Sequence, residues 1–410
     1  MKLIFVTNRY PFSHGETFLE TERKYTPKLD DVIFLPWETT DYAETRKGEK
    51  YEKVFKDNCV ISENYFIKFL KSLKDIFSLA FITEIKYLLL DKKFTVHRVR
   101  QILFFLRDKK KRICKMDNFL KQQGIKGDDE IIFYSYWLNH TAFIACELSK
   151  KYKNAKVISR AHRYDLYQEE NDGYIPFQRS ILNNLDEIYC IAEDGKKYLV
   201  SKYPEVKEKI KISRLGTDDH GIQQYRNRDV LKIVSCSYVV PVKRVYLIVE
   251  ILSKIKDIQV EWTHIGDGND LEKIKEMCAK KLSGNVNTNF VGGMSNSNVI
   301  ETYKNNEYHL FINVSESEGI PVSIMEAISF GIPVMATDVG GTREIVNDIS
   351  GKLLEKSFDI QVAVEYVKKI AFMEDREYKT LRKSVRAFWE NNYLAEDNYK
   401  MFYNELIRLE

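Results

Sequence analysis

The chain has 410 residues, of which 44% are hydrophobic and 30% charged, with a formal net charge of +4 at pH 7. That is an ordinary globular composition, long for one core and comfortable for two, which excludes a wholly disordered chain. So small a charge excess calls for no nucleic acid, so any basic surface is local.

The amino-terminal "MKLIFVTNRYPF" reads as a first β-strand ending near Asn8, and it is too short for a signal peptide. In "NRYPFSHGETFLETE", Gly15 ends a loop and Glu16 is expected to start a helix. "VIFL" from Val32 reads as a second strand. The segment Tyr65 to Met116 is helical in period, aromatic and basic. Phe66, Leu70, Leu73, Phe77 and Phe81 are expected on one helical face, with Lys68, Lys71 and Lys74 mostly turned away. The basic run "RDKKKRICK" follows at Arg107 to Lys115. Two readings stand for this insert: an amphipathic element packed on the first domain, or one that docks on an anionic membrane surface. Its apolar run Ile76 to Ile82 is far below the ~20 residues that a membrane span needs.

Further strands are read at "EIIFYSY" from Glu130, "KVIS" from Lys156, "EIYCI" from Glu187 and "KIKIS" near Lys209. Tyr136, Trp137 and His140 stand just beyond the first of these, where they line a ligand cleft or pack in the core. His162 follows "KVIS" at a strand end, where a histidine can donate to a ligand, and Asp165 orients it or caps the next helix. The polar stretch Gly216 to Asp229 reads as a linker.

A second strand series begins at "KIVSCS" from Lys232 and continues through "VEWTHIG", "NFVG", "YHLFINV" and "PVMATD". Lys243 and Arg244 follow its first strand. Gly266, Asp267 and Gly268 imitate a dinucleotide fingerprint, but Leu271 replaces the third glycine, so NAD is not implied. The block "SESEGIPVSIMEAISFGIPVMATDVGG", Ser315 to Gly341, is one loop-helix-strand unit. Pro321 suits the first helical position and Gly331 the position just past the end. Free N–H groups around Ile320, Val322 and Ser323 make an anion site for which phosphate is the obvious guest. Glu318 at the loop tip and Glu326 inside the helix are carboxylates suited to hydroxyls on either side, which fits a sugar nucleotide. Strand-helix alternation in two series implies two doubly wound, Rossmann-like α/β domains with ligands in the cleft between them. The six cysteines form no C-x-x-C or Cys/His cluster, which argues against zinc and for reduced thiols in a cytoplasmic protein. No Asp-x-Asp pair stands at a strand end, so no metal is expected.

The Glu318 to Glu326 spacing resembles the Glu-x7-Glu motif of glycosyltransferase family 4, retaining enzymes of the GT-B fold, and the flanking "EGIPVSIMEAISFGIPVMATDVGGTREIV" is similar to that family's most specific block. The similarity is to bacterial members that build capsule, O-antigen or exopolysaccharide. It implies that Glu318 lies near the transferred sugar and Glu326 on the nucleotide ribose, with Gly319, Ile320 and Val322 around the donor. It also implies Gly15, Gly266 and Asp267 on the donor side, His162 as a catalytic residue that donates to a sugar hydroxyl, Tyr136, Trp137, His140 and Asp165 on the acceptor side, and Lys243 on the diphosphate. Tyr238 stands where the family usually has an arginine, a charge that Arg244 is then expected to supply.

The implied domains are 1–215, a linker 216–229, 230–385, and a last helix 386–410 that packs back on the first domain. The implied activity is metal-independent transfer from a UDP- or GDP-sugar to a saccharide or lipid-linked saccharide. No cofactor is implied, and the protein would lie in the cytoplasm or on the inner face of the plasma membrane. The alternatives are an epimerase or phosphorylase of the same fold, or a non-catalytic sugar-nucleotide-binding subunit.

Overall fold

A computed structural model describes residues 1–12, 16, 18–26, 31–39, 53–57, 73–224 and 227–408. The chain divides into two compact units: Met1–Ile191 with Gly195–Ser213, and Ala192–Asp194 with Arg214–Glu410.

The first unit is built on six parallel strands: β1 (Lys2–Thr7), β2 (Asp31–Pro36), β3 (Glu130–Ser135), β4 (Asn154–Ala161), β5 (Glu187–Cys190) and β6 (Ile210–Ile212). Their order is β2-β1-β3-β4-β5-β6, with Leu3 between Val32 and Ile132. β1 and β3 are buried along almost their whole length. Such strands read as continuous apolar runs because helices cover both faces. Every strand expected here from the sequence is present.

One charged network crosses this core. Arg160 on β4 is fully buried; its Nη1 donates to the Ser213 carbonyl at 2.7 Å and its Nε to Tyr134 Oη at 2.9 Å. Tyr134 donates in turn to Glu22 Oε1 at 2.9 Å, and Glu22 Oε2 lies 3.6 Å from the Arg160 guanidinium. Arg160 therefore serves the core rather than the strand end.

The insert departs from the expected single face. Phe66 and Leu70 lie outside the described residues. Leu73–Phe77 is a 3-10 turn, and Ser78 caps a new helix, Leu79–Leu90, by accepting the Phe81 N–H at 3.2 Å. That break rotates the two aromatics apart, leaving Phe81 buried at 8% exposure and Phe77 at 87%. The basic run lies inside a second helix, Val96–Gln122, anchored by Phe105 stacked on Phe177 at 4.9 Å.

The second unit carries β7 (Leu231–Cys236), β8 (Val260–Ile265), β9 (Val286–Gly292), β10 (Leu310–Asn313), β11 (Val334–Thr337) and β12 (Gly351–Leu354), all parallel, in the order β12-β11-β10-β7-β8-β9. β12 was not expected. It is four residues long and opens on Gly351, whose Cβ would stand 1.8 Å from the Val334 carbonyl oxygen, so a turn-forming residue occupies a strand position. The expected linker is strapped in place rather than loose. Thr217 exchanges backbone hydrogen bonds with Tyr393 and Ala395, and its Oγ1 accepts from Trp389 Nε1 at 2.8 Å. That pairing splits the expected terminal helix at Leu394 into Asp375–Tyr393 and Ala395–Ile407, both of which belong to the second unit.

Glu22→Ala leaves Arg160 buried without its carboxylate and should cost about 3–5 kcal/mol in chemical denaturation. Adding Arg160→Met to that variant should recover much of the loss. An Ala variant as stable as the parent would show that the network contributes nothing.

Candidate active site

The second unit places Glu318 just beyond β10. Asn313, the last residue of that strand, donates from Nδ2 to Glu318 Oε1 at 3.3 Å, and Lys243 Nζ donates to the same oxygen at 2.6 Å. Lys243 closes a 3-10 turn, Pro241–Lys243, in the loop after β7. Glu318 is only 8% exposed, so it is no solvated loop residue. A carboxylate and an ammonium meet there with most water excluded, where each acts more strongly on a ligand than it would in solvent.

The helix Val322–Ser329 begins four residues further on. Pro321 is its N-cap, one residue earlier than expected. The N–H groups of Val322 and Ser323 have no acceptor within the helix, and they form the positive pole of its dipole. At the other end Gly331, with φ 72°, stands where the sequence suggested. Two buried arginines cover that negative pole: Arg382 donates to the Phe330 carbonyl at 3.0 Å, and Arg386 to the Ser329 carbonyl.

The form of the Glu318 loop is set by the glycine pair downstream. Gly340 has φ 54°, and a Cβ there would stand 2.0 Å from the Glu318 carbonyl oxygen. Gly341 donates its N–H to the Gly319 carbonyl at 2.9 Å. Two backbones touch here, and a side chain at Gly340 would separate them.

Glu326 is buried, at 5% exposure, so it is no surface helix residue. Its Oε1 accepts from Asn296 Nδ2 at 2.5 Å. Burial pushes its pKa up to about 7, while the Asn296 hydrogen bond pulls the other way. Asn296 opens the helix Asn296–Asn305 behind the N-cap Ser295. In the sequence it reads as an ordinary helix start, so nothing marked it as a partner of Glu326.

Gly266 and Asp267 shape the loop after β8. A Cβ on Gly266 would come within 1.9 Å of the Ser237 carbonyl oxygen, while Asp267 is exposed and accepts the Gly268 N–H at 2.7 Å. Arg244, expected to replace a missing charge, has φ 48° and is occupied by main chain. It donates to the carbonyls of Val314, Lys356 and Ser315 at 2.8, 2.9 and 3.1 Å, stapling the β10 loop. Tyr238 is 74% exposed. Lys243 is therefore the cation brought to Glu318.

In the first unit Gly15 lies outside the described residues. Glu16 does not start a helix; its φ is 59° and the helix Phe18–Lys24 follows. Instead its carboxylate accepts the N–H groups of Asn8, Arg9 and Tyr10 at 2.9, 2.7 and 2.6 Å and the Trp137 indole N–H at 2.6 Å. The Trp137 ring lies 4.5 Å from the His162 ring, and Tyr136 lies 4.8 Å from it on a buried site. Among the described residues neither His162 ring nitrogen has a hydrogen-bond partner. Asp165 acts as a cap, accepting the His162 and Leu138 N–H groups at 2.6 Å each, with His162 Nδ1 3.7 Å from its Oδ2. His140 heads the helix His140–Ser149 with its ring 5.2 Å from Trp37; burial, then Lys109 and Arg112 nearby, hold its pKa down at about 3.

Residues 221–388, which contain Lys243, Glu318 and Glu326, match the family described as glycosyl transferases group 1. Over 175 residues, 42% of this chain, the sequence is 29% identical to the O-antigen biosynthesis glycosyltransferase WbnH of Escherichia coli, of which 48% is covered. The chain spans under half the length of the curated relatives it matches. Among solved structures, the apo lipopolysaccharide outer core galactosyltransferase WaaB aligns over 100% of both chains with TM-score 0.68 and 17% identity. HepE of Anabaena in complex with UDP does so with TM-score 0.65 and 13% identity. The match of residues 221–388 to that family model supports a glycosyltransferase, and the structural neighbours show a two-domain GT-B fold.

Glu326 binds its proton more tightly folded than unfolded, so its charge costs stability once pH exceeds the ordinary carboxylate value near 4.5. Glu326→Gln should melt with the parent below pH 4.5, gain on it as pH rises to about 7, and lead by about 3 kcal/mol at pH 8. A constant difference across that range would place the carboxylate in water.

Proposed function

We propose that this protein is a retaining, family 4 glycosyltransferase that moves a sugar from a nucleoside diphosphate sugar to a hydroxyl of a saccharide in surface polysaccharide synthesis. The observation that carries the reading is the Lys243–Glu318 pair at 2.6 Å, four residues before the amino end of the helix that holds buried Glu326. An anion site, a sugar-side carboxylate and a ribose-side carboxylate then follow one another along a single segment. The UDP in the HepE structure supports UDP, with GDP the other candidate, and the likeness to WbnH supports an O-antigen-type saccharide acceptor, which we propose to be lipid-linked.

In the proposed reaction the bond from the anomeric carbon to the diphosphate oxygen breaks. The bond to the acceptor oxygen forms on the same face, and the departing phosphate oxygen takes the acceptor proton. Lys243 and the N–H groups of Val322 and Ser323 stabilise the charge that gathers on the diphosphate, with no metal ion. Glu318 faces the positive charge that grows on the sugar. Glu326 holds the ribose hydroxyls, oriented by Asn296. His162, held by aromatic contacts and with unpartnered nitrogens, donates to a sugar hydroxyl.

Glu326→Ala should weaken donor binding by about 1.5–3 kcal/mol with turnover at saturating donor little changed. Glu318→Gln should lower turnover while donor affinity holds or rises, because Lys243 loses its competing carboxylate. Steady-state kinetics in chelator, with folding checked by thermal melt, test both. Parental constants in the two variants, or turnover abolished by chelator and restored by magnesium or manganese, would overturn the reading.

We also propose that the insert docks on an anionic bilayer. Phe77, Leu79, Leu89, Leu90 and Val96 are 59–87% exposed, and Lys86, Lys92 and Arg100 are exposed in the same segment. Among its acidic residues Glu84 is buried and Asp91 pairs with Arg179 at 3.3 Å, which favours an anionic partner. Among the described residues no helix is long and apolar enough to cross a membrane, so the contact is superficial. With each cation near such a surface contributing about 1 kcal/mol, co-sedimentation should rise with vesicle anionic lipid and fall with salt. Binding indifferent to both would refute docking.

A further inference from the structure

A second group of cations lies beside His140 at the carboxyl end of the first unit's sheet. Lys109 and Arg112 sit three residues apart on the helix Val96–Gln122 and turn to the same ring, Trp37, just past β2. Lys109 Nζ is 4.7 Å from that ring's centre and 4.3 Å from the Phe105 ring; the Arg112 guanidinium is 5.0 Å from Trp37. His140 also packs on this ring, 5.2 Å from Trp37, and its Nε2 is buried with no hydrogen-bond partner among the described residues.

The charges here are unequally matched. Arg112 donates to the Pro36 carbonyl at 3.2 Å and lies 3.6 Å from Asp57, whose carboxylate is also taken by Lys115 at 2.7 Å. Among the described residues Lys109 has its two rings and no hydrogen bond or ion pair, and burial brings its pKa down to about 8. Like charges three apart on a helix repel, and an ammonium taken from water without an acceptor is costly. Aromatic faces recover only part of that cost. Such a group is stable in the chain but is completed by an anion that supplies oxygen acceptors to Lys109, to Arg112 and to the His140 Nε2–H tautomer.

We infer that Lys109, Arg112, His140 and Trp37 form a binding site for a phosphate or diphosphate group, which on the proposed function is carried by the acceptor. The rings of Trp37 and Phe105 beside the ammonium give an apolar wall for whatever the phosphate is attached to, which a bare inorganic ion does not need. The inference rests on the glycosyltransferase reading only for what carries the phosphate; the site itself does not depend on it.

The test uses the full chain with UDP present in excess, so that added phosphate cannot compete at Lys243. Inorganic pyrophosphate and a short-chain prenyl pyrophosphate are titrated while tryptophan emission is followed, with calorimetry in parallel. Both should bind, the prenyl ligand more tightly, and Lys109→Met should weaken both by about tenfold or more. Trp37→Phe should abolish the emission change while calorimetry still detects binding. Glucuronate, a carboxylate with the same charge sign, should bind weakly; equal or tighter binding of glucuronate would transfer the site to acidic sugars and overturn the phosphate assignment. Lys109→Met removes an unpaired cation, so its melting temperature should equal or exceed the parent's. Pyrophosphate affinity unchanged in a folded Lys109→Met, or no pyrophosphate binding in the parent, would overturn the site. Failure of a UDP-sugar to raise the melting temperature would instead count against the donor reading and leave this result standing.

Discussion

The site in the second unit depends on one backbone contact. Gly340 meets the Glu318 carbonyl at a distance no side chain allows, and Gly341 donates to Gly319 beside it. This contact fixes the loop, and the fixed loop aims Glu318 at Lys243 and Asn313. Arg244 reinforces it from the other side through three main-chain carbonyls. The helix behind the loop is held at its far pole by Arg382 and Arg386, so its positive pole is presented on a rigid element. Electrostatic stabilisation of a leaving group works best when such dipoles are set before the reaction starts.

The first unit applies the same logic with different parts. The Glu16 carboxylate gathers three consecutive N–H groups after β1 and the Trp137 indole, and Trp137 in turn packs on His162. Asp165 ties the loops after β3 and β4 together. Loops at the carboxyl ends of parallel strands are thus cross-linked by carboxylates accepting backbone N–H groups. These are charge-assisted bonds, stronger than neutral ones and specific in direction.

Burial gives the ionisable groups unequal parts. The Arg160 network is closed on itself and serves stability. Glu326 is buried with Asn296 as its side-chain partner among the described residues and holds a raised pKa, and Lys109 is half-buried against rings and holds a lowered one. Both carry a desolvation cost that their neighbours do not cancel, which is the usual mark of a group kept for a ligand.

The sequence by itself determined the two parallel α/β series, because strands covered on both faces must be apolar runs separated by helices. It also located the start and end of the helix that carries Glu326, through Pro321 and Gly331, and the glutamates on either side of that start. These are local properties, written in consecutive residues. It missed β12, whose glycine start mimics a turn, and the break at Leu394, which depends on Thr217 far away in the chain. It joined Phe77 and Phe81 on one face because the periodicity ran through Ser78, whose capping bond overrode it. It read Glu16 as a helix start, left Asn296 unmarked and Lys109 undistinguished within its basic run, and gave Arg244 to the donor. Only tertiary structure decides such cases, because the partner of a charged side chain comes from another strand end, and no spacing along the chain records which one it is.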